Sequence, residues 1–250
     1  MSPPDPGSAT EMATTTRSLR EALNLALAEA LALDPTVLLI GEDLADPGGG
    51  ISQVTKGLST EFGTHRVRDT PISEVAIVGA AVGAALAGLR PVAEVMIMDF
   101  ISIALDQLVN HAAKARFMSG GTQSVPLTLR TAVFGGIGSG ATHSQTLEAW
   151  LAHVPGLKVV VPSTPADAKG LLTTCIFDDD PCVVVENVAL YGSTGPVPDG
   201  DHRVPLGKAD IKRGGDDVTV VTYGRTVRDA LAAAELLAGE DIDVEVVDLR

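Results

Sequence analysis

Two hydrophobic periods take turns along this chain. "RSLREALNLALAEALALDP" sets Leu19, Leu23, Ala26, Leu27 and Ala30 at helical spacing and stops at Asp34-Pro35. A short apolar strand, "TVLLIGED", comes next. The alternation continues with a helix from about Glu74 to Gly88, a strand "PVAEVMI", a long helix from Phe100 to Met118 and a strand "VPLTLRT". After a Gly-rich loop come a helix around Ser144 to Ala152, a strand "LKVVVP", a helix "TPADAKGLLTTCIFD" and a strand "PCVVVEN". The strands are apolar throughout rather than at every second position, which predicts a parallel sheet covered on both faces. The expected fold class is α/β, with the main domain over residues 17–191.

The flanks read differently. Residues 1–16 are rich in Pro, Ser and Thr without an apolar period, the pattern of a disordered tail. Residues 192–217, rich in Gly, Pro and Asp, read as a linker. Beyond it "VTVVTYG", "TVRDALAAAELLAGE" and "IDVEVVDLR" form one β-α-β unit over residues 218–250. One such unit cannot bury both faces of its own sheet, so it reads as the opening of a second α/β domain.

Composition narrows the function classes. A formal net charge of -14 repels phosphate backbones, and no basic cluster or aromatic platform offsets it, so no nucleic-acid partner is expected. The longest uncharged apolar run, Val75 to Leu89, is too short for a membrane span and too far from the N-terminus for a signal peptide, which favours the cytoplasm. Cys175 and Cys182 lack CxxC spacing and sit beside apolar residues, as buried reduced thiols do. The five histidines show no ligand spacing, so no zinc site is expected.

Glu74 stands at the mouth of that apolar run. Locally it reads as a first-turn acid beside the positive helix end, with Ser73 or Thr70 as the cap. The other reading is a carboxyl whose apolar setting raises its pKa and lets it exchange a proton with a ligand. Gly79 and Gly83 form a GxxxG pair, a smooth face for close packing within or between chains. "GGIGSGATHSQ" joins a flexible loop to His143, which is either a capping residue or a catalyst on a loop above the sheet. Asp178, Asp179 and Asp180 read as a solvated turn or as ligands for a hard cation.

Taken in order, "LREALNLAL", "IGED", "GGGISQVTKGLSTEFGTHRVRDTPISE", "GAAVGAALAGLRPVAEVMIMDF", "DQLVNHAAKARFMSGG", "THSQTLEAW" and "PGLKVVVPSTPADAKGLL" resemble one family. It is the beta subunit of the thiamine diphosphate-dependent, decarboxylating component of 2-oxo acid dehydrogenase complexes, with pyruvate and acetoin dehydrogenase beta subunits as the nearest kinds. The resemblance implies a pyrimidine-binding α/β domain followed by the start of a transketolase C-terminal-like domain. It implies that Glu74 hydrogen-bonds a ring nitrogen of the cofactor's aminopyrimidine, and so promotes loss of the thiazolium proton. Phe100 would pack on that ring, Met96 would be a neighbouring pocket residue, and His143 would help orient the reaction intermediate or the lipoyl acceptor. Leu127, Cys175, Ile176, Asp178 and Asp180 fall where some relatives hold potassium, mostly through backbone carbonyls.

Enzymes with this cofactor usually anchor its diphosphate through Mg²⁺ on a GDG motif followed by an Asn. This chain has no GDG, and no Asn follows Asn187. The implied partners are therefore an alpha subunit that holds Mg²⁺, in an α2β2 heterotetramer, and a lipoyl acyltransferase core. The implied reaction is oxidative decarboxylation of pyruvate or a related small-molecule 2-oxo acid with acyl transfer to lipoyl-lysine. Cleavage of acetoin, a non-catalytic binding homologue and half of a split transketolase or deoxyxylulose phosphate synthase are the competing readings.

Overall fold

A computed structural model describes residues 13–250. Six strands form an all-parallel sheet: β2 (Val37–Gly41), β3 (Val67–Asp69), β4 (Arg90–Ile97), β5 (Thr128–Val133), β6 (Lys158–Val160) and β7 (Cys182–Asn187). Their order is β3-β2-β4-β5-β7-β6. Every side chain of β5 is buried, as expected of a strand covered on both faces.

Each face has its own core. On one side α1 (Leu19–Leu33), the short α2 (Leu58–Phe62) and α7 (Pro165–Ile176) pack Leu23, Leu27, Leu58, Leu171 and Leu172 against Leu39 and Val184. On the other, α3 (Glu74–Leu86) and a long helical run after β4 pack Ile77, Val78, Ile101 and Leu108 against Val95 and Leu129. Local chemistry sets the helix starts. Ser18 and Glu21 form a capping box at α1, and Thr164 with Pro165 starts α7. The helix expected from Glu74 to Gly88 ends at Leu86, and Gly88 takes φ 94°, a left-handed conformation suited to glycine. Ser73 occupies the cap position of α3 without a side-chain bond, and the hydroxyl of Thr70, the other expected cap, is buried without a partner among the described residues, so neither caps the helix.

The run expected from Phe100 to Met118 is helical but not uniform. A 3₁₀ turn (Met98–Phe100), α4 (Ile101–Asp106), a π turn (Gln107–Ala112) and α5 (Ala113–Met118) follow one another. Gln107, in the π turn, packs on Gly79: a Cβ there would lie 3.3 Å from its side-chain oxygen. A Cβ on Gly83 would meet nothing, so only the first glycine of the GxxxG pair serves packing within the chain. Around "SQTLEAW" helix forms only at α6 (Glu148–Ala152).

Both flank expectations need correction. Of the expected tail, residues 1–12 lie outside the described residues, whereas Thr14–Thr16 belong to β1 (Thr14–Ser18). Its β-branched side chains suit a strand, and its partner is β8 (Thr194–Pro198), inside the expected linker. That linker also contains β9 (Asp210–Arg213). β9 joins β10 (Val218–Thr222) and β11 (Val244–Asp248) in a small sheet of order β10-β11-β9, with α8 (Arg225–Ala238) packed on it.

Candidate functional site

In a parallel sheet the carboxyl ends of the strands share one edge, and the loops leaving that edge are where open α/β sheets place ligands. Here those loops carry most of the chemistry expected from the sequence. β2 leads into Glu42, β3 into Ile72 and Glu74, β4 into Met98, Asp99 and Phe100, and β5 into the glycine loop that ends at His143.

Glu74 opens α3 and is 7% exposed. No hydrogen bond or ion pair reaches its carboxylate among the described residues. Its oxygens are not among the sealed-off side-chain atoms, so this carboxylate stands unpartnered at the edge, an arrangement that fits a ligand bringing its own N–H. Glu42, close by, is held above the usual carboxylate range, first by burial and then by the charges of Glu74, Asp43 and Glu94. Phe100 and His143 meet edge to face, ring centroids 5.3 Å apart, and both are half-buried. Large apolar side chains rim this edge: Ile72 is 82% exposed, and Val75, Ile103 and Ile137 are also exposed.

Met96 lies one step inside the sheet, beside a cavity of about 10 Å³, room for about one water. Under it sits a buried ionic cluster that the sequence did not reveal. Arg130 donates Nε and Nη2 to Glu186 at 2.7 and 2.8 Å and Nη1 to Glu94 at 2.5 Å, while the Tyr191 hydroxyl donates to Glu186 at 2.7 Å. Burial works against the Arg130 charge, but Glu186 and then Glu94 outweigh it and raise its pKa. Burial raises Glu94, and Arg130 offsets this only in part. The cluster holds the middle of β4, β5 and β7 in fixed register beneath the edge that carries Phe100.

The five residues expected to hold potassium do come together, at the opposite, amino end of the sheet. Leu127 precedes β5, Cys175 and Ile176 close α7, and Asp178 and Asp180 lie in the turn from α7 to β7. Protein donors already use these oxygens. Leu127 O accepts from the Cys182 N–H and Cys175 O from the Asp178 N–H. Arg90 Nη1 donates to Asp178 O at 3.0 Å and to Ile176 O at 3.4 Å. The Asp178 carboxylate pairs with Lys158 at 2.7 Å, and that of Asp180 with Arg116 at 2.5 Å. Each carbonyl keeps a second lone pair, so what the turn offers a monovalent cation is carbonyl oxygen, its carboxylates being neutralised. Among the described residues no group of three or more His, Cys, Asp or Glu has metal-binding geometry. Cys175 and Cys182 are buried free thiols, and among the described residues no helix is long and apolar enough to cross a membrane.

Sequence reasoning also missed Asp99 and Gln145. Both sit inside quoted motifs, "MDF" and "THSQ", but only the fold brings them into contact across 46 positions.

Comparison with known proteins converges on one group. The pattern of the transketolase pyrimidine-binding domain matches residues 15–194, and that of the transketolase C-terminal domain matches residues 207–250. The beta subunit of acetoin:2,6-dichlorophenolindophenol oxidoreductase from Cupriavidus necator is 47% identical over 242 residues, covering 93% of this chain and 71% of the relative. The 2-oxoisovalerate dehydrogenase beta subunit of Bacillus subtilis is 46% identical, covering 92% of this chain and 70% of its own. A mitochondrial pyruvate dehydrogenase E1 beta-2 subunit from rice, Oryza sativa subsp. japonica, is 47% identical, covering 93% and 63%. Among solved structures, a split-gene transketolase described as an inactive beta4 tetramer superposes with a TM-score of 0.75 at 24% identity, over 92% of this chain and 70% of that one. At that identity the likeness shows the fold.

Proposed function

Since this chain belongs to the family of beta subunits of thiamine diphosphate-dependent 2-oxo acid and acetoin dehydrogenases, we propose that it supplies the pyrimidine half of such an active site. Its reaction in this reading is the oxidative decarboxylation of pyruvate or a related 2-oxo acid, with acyl transfer to a lipoyl acyltransferase core. The observation that carries the reading is the buried, unpartnered Glu74 at the same sheet edge as the Phe100–His143 pair. Bound thiamine diphosphate supplies the nucleophile and electron sink that decarboxylation of a 2-oxo acid needs.

The chain's own residues then have distinct tasks. Glu74 accepts an N–H from the ring nitrogen and can exchange a proton there, because no donor among the described residues competes for its carboxylate. Phe100 and Met96 give the ring an apolar seat that excludes water. His143, edge-on to Phe100, presents a ring nitrogen towards substrate or acceptor. An alpha subunit completes the site in an α2β2 heterotetramer: the exposed apolar rim calls for cover, and the sequence holds no GDG motif to place Mg²⁺. Potassium at the turn from α7 to β7 belongs to the same proposal, resting on carbonyl oxygens alone. The reading carries with it a cytoplasmic enzyme.

Acetoin is the second substrate reading, favoured by two acetoin:2,6-dichlorophenolindophenol oxidoreductase beta subunits among the relatives, at 47% and 48% identity. The test assembles the chain with its alpha subunit and follows cofactor-dependent dye reduction with pyruvate, branched-chain 2-oxo acids and acetoin. Glu74→Gln is expected to lower turnover by about a hundredfold or more while the tetramer still forms. Near-normal turnover of that variant would remove Glu74 from the proton relay. Wild-type chain that binds no alpha subunit would point to the non-catalytic homologue, and activity confined to sugar phosphates to a transketolase half.

A further inference from the structure

The loop that carries His143 has little to fix it. Gly135, Gly136, Gly138 and Gly140 give it wide conformational freedom, and residues 136–142 are exposed. The hydrogen bonds of His143 are local: its backbone N–H donates to Gly140 O, and Nδ1 lies 3.1 Å from the Thr142 hydroxyl. Yet its ring stands at a defined angle of 88° to Phe100. Something beyond the loop must set that angle.

The neighbouring turn supplies it. Asp99, 5% exposed, accepts at Oδ1 from both the backbone N–H of Gln145, at 3.2 Å, and its side-chain Nε2, at 2.8 Å. Met98 Sδ accepts the Leu147 N–H at 3.3 Å, and the Ser102 hydroxyl donates to Asp99 O and locks the turn. Met98 and Asp99 therefore grip the chain just past His143, and Phe100, next in the chain, meets the His143 ring.

Resting on the proposed function above, we propose that Asp99 is a positioning residue. Acting through Gln145, it sets His143 against Phe100 at the reacting centre. Bonds to a carboxylate are stronger than neutral ones, and this carboxylate spends one oxygen on two donors of a single residue. Its other oxygen, Oδ2, is buried with no partner among the described residues. An amide at this position would keep an oxygen for both Gln145 donors, so Asp99→Asn tests position apart from charge.

The experiment uses the full chain, alone and assembled with its alpha subunit. Hydrogen exchange over residues 134–147 reads the loop, and steady-state dye reduction reads the chemistry. Asp99→Ala is expected to speed exchange at Gln145 and Leu147 at least tenfold. It should lower kcat about tenfold to a hundredfold, with KM for the 2-oxo acid changed less than about threefold. Asp99→Asn should restore both readings to within about threefold, and Gln145→Ala should fall between, because its backbone N–H remains.

Wild-type loop protection and kcat in Asp99→Ala overturn the proposal, as does equal loss of kcat in Asp99→Ala and Asp99→Asn with the loop still protected. If Asp99→Ala does not fold, the contrast between Asp99→Asn and Gln145→Ala decides in its place. Should the wild type turn over neither 2-oxo acids nor acetoin, the functional reading falls, and the exchange data still judge whether Asp99 holds the loop.

Discussion

The ligand edge and the domain junction both bury carboxylates, and they treat them in opposite ways. At the junction Asp167 and Asp248 are 2% and 0% exposed, and cations stand beside both. Lys212 pairs with Asp167 and, at 2.7 Å, with Asp210, and lies 3.8 Å from Asp248. Arg250 reaches Asp167 at 2.9 Å and Asp210 at 3.0 Å, and the Ser163 hydroxyl donates to Asp248. At the ligand edge Glu74 has no such partner and Asp99 keeps one buried oxygen idle. A buried charge is tolerated when it is paired or when its neutral form is within reach. The junction pairs its buried carboxylates within the chain, whereas the edge leaves Glu74 and one oxygen of Asp99 without a partner among the described residues.

The contrast is sharpest where a pairing cation is deleted. Arg130 is 3% exposed and compensates two carboxylates of β4 and β7, so Arg130→Met should leave Glu94 and Glu186 facing each other in the core. The expected loss is about 3–5 kcal/mol in urea unfolding. A loss below about 1 kcal/mol would mean that the cluster relaxes by taking up a proton or water instead.

Lys212→Met acts at the junction, where the ions are less deeply placed. Three carboxylates lose their nearest cation, but Arg250 remains beside two of them. A cost of about 1–3 kcal/mol is expected, with early proteolysis between β8 and β9 as the sheet of β9–β11 loosens. Unchanged cleavage would show that the apolar contacts of Val227, Ala234, Val244 and Val246 are sufficient without the ions.

How much of this contrast the sequence reveals depends on distance along the chain. Continuous apolar runs identify five of the six parallel strands because each is a local signal, whereas β3, three residues with one buried position, gives none; Glu74, Met96, Phe100 and His143 are picked out as candidates through motifs a few residues long. β1 escapes because Thr14–Thr16 look like tail until β8 supplies a partner from the other end of the domain. β8 escapes in turn because Pro196 and Pro198 argue against a strand, although a two-stranded pair tolerates them. Arg130 with Glu94 and Glu186, and Asp99 with Gln145, follow the same rule. Each partner looks ordinary alone, and its role exists only after strands distant in sequence become neighbours.

Acidity separates two further carboxylates by sign. The folded pKa of Glu94 is raised, chiefly by burial, so its contribution to stability is present below the usual 4.5 and is lost as pH rises through the folded value. Asp46 is lowered, first by the Thr60 hydroxyl and then by the Gly57 N–H, so its contribution is present above the usual 3.8 and is lost as pH falls. Melting temperatures across pH 3 to 8 should therefore respond in opposite directions. Glu94→Gln should flatten the decline on the alkaline side, and Asp46→Asn the decline on the acid side. Parallel changes in both variants would contradict the assignment.

The smallest expected change in stability belongs to the residue with the largest expected effect on turnover. Glu74→Gln removes a charge that no described residue compensates, so no partner is stranded and the burial penalty falls. Stability of the chain alone should stay within about 0.5 kcal/mol of wild type, or rise slightly, as at sites held ready for a ligand. A loss above about 1.5 kcal/mol would place Glu74 with the paired carboxylates and erase the difference between the two regions. With the cofactor and alpha subunit present the order should invert. The wild-type carboxylate then gains the N–H that the chain withholds, and the variant should show the weaker cofactor-dependent rise in melting temperature.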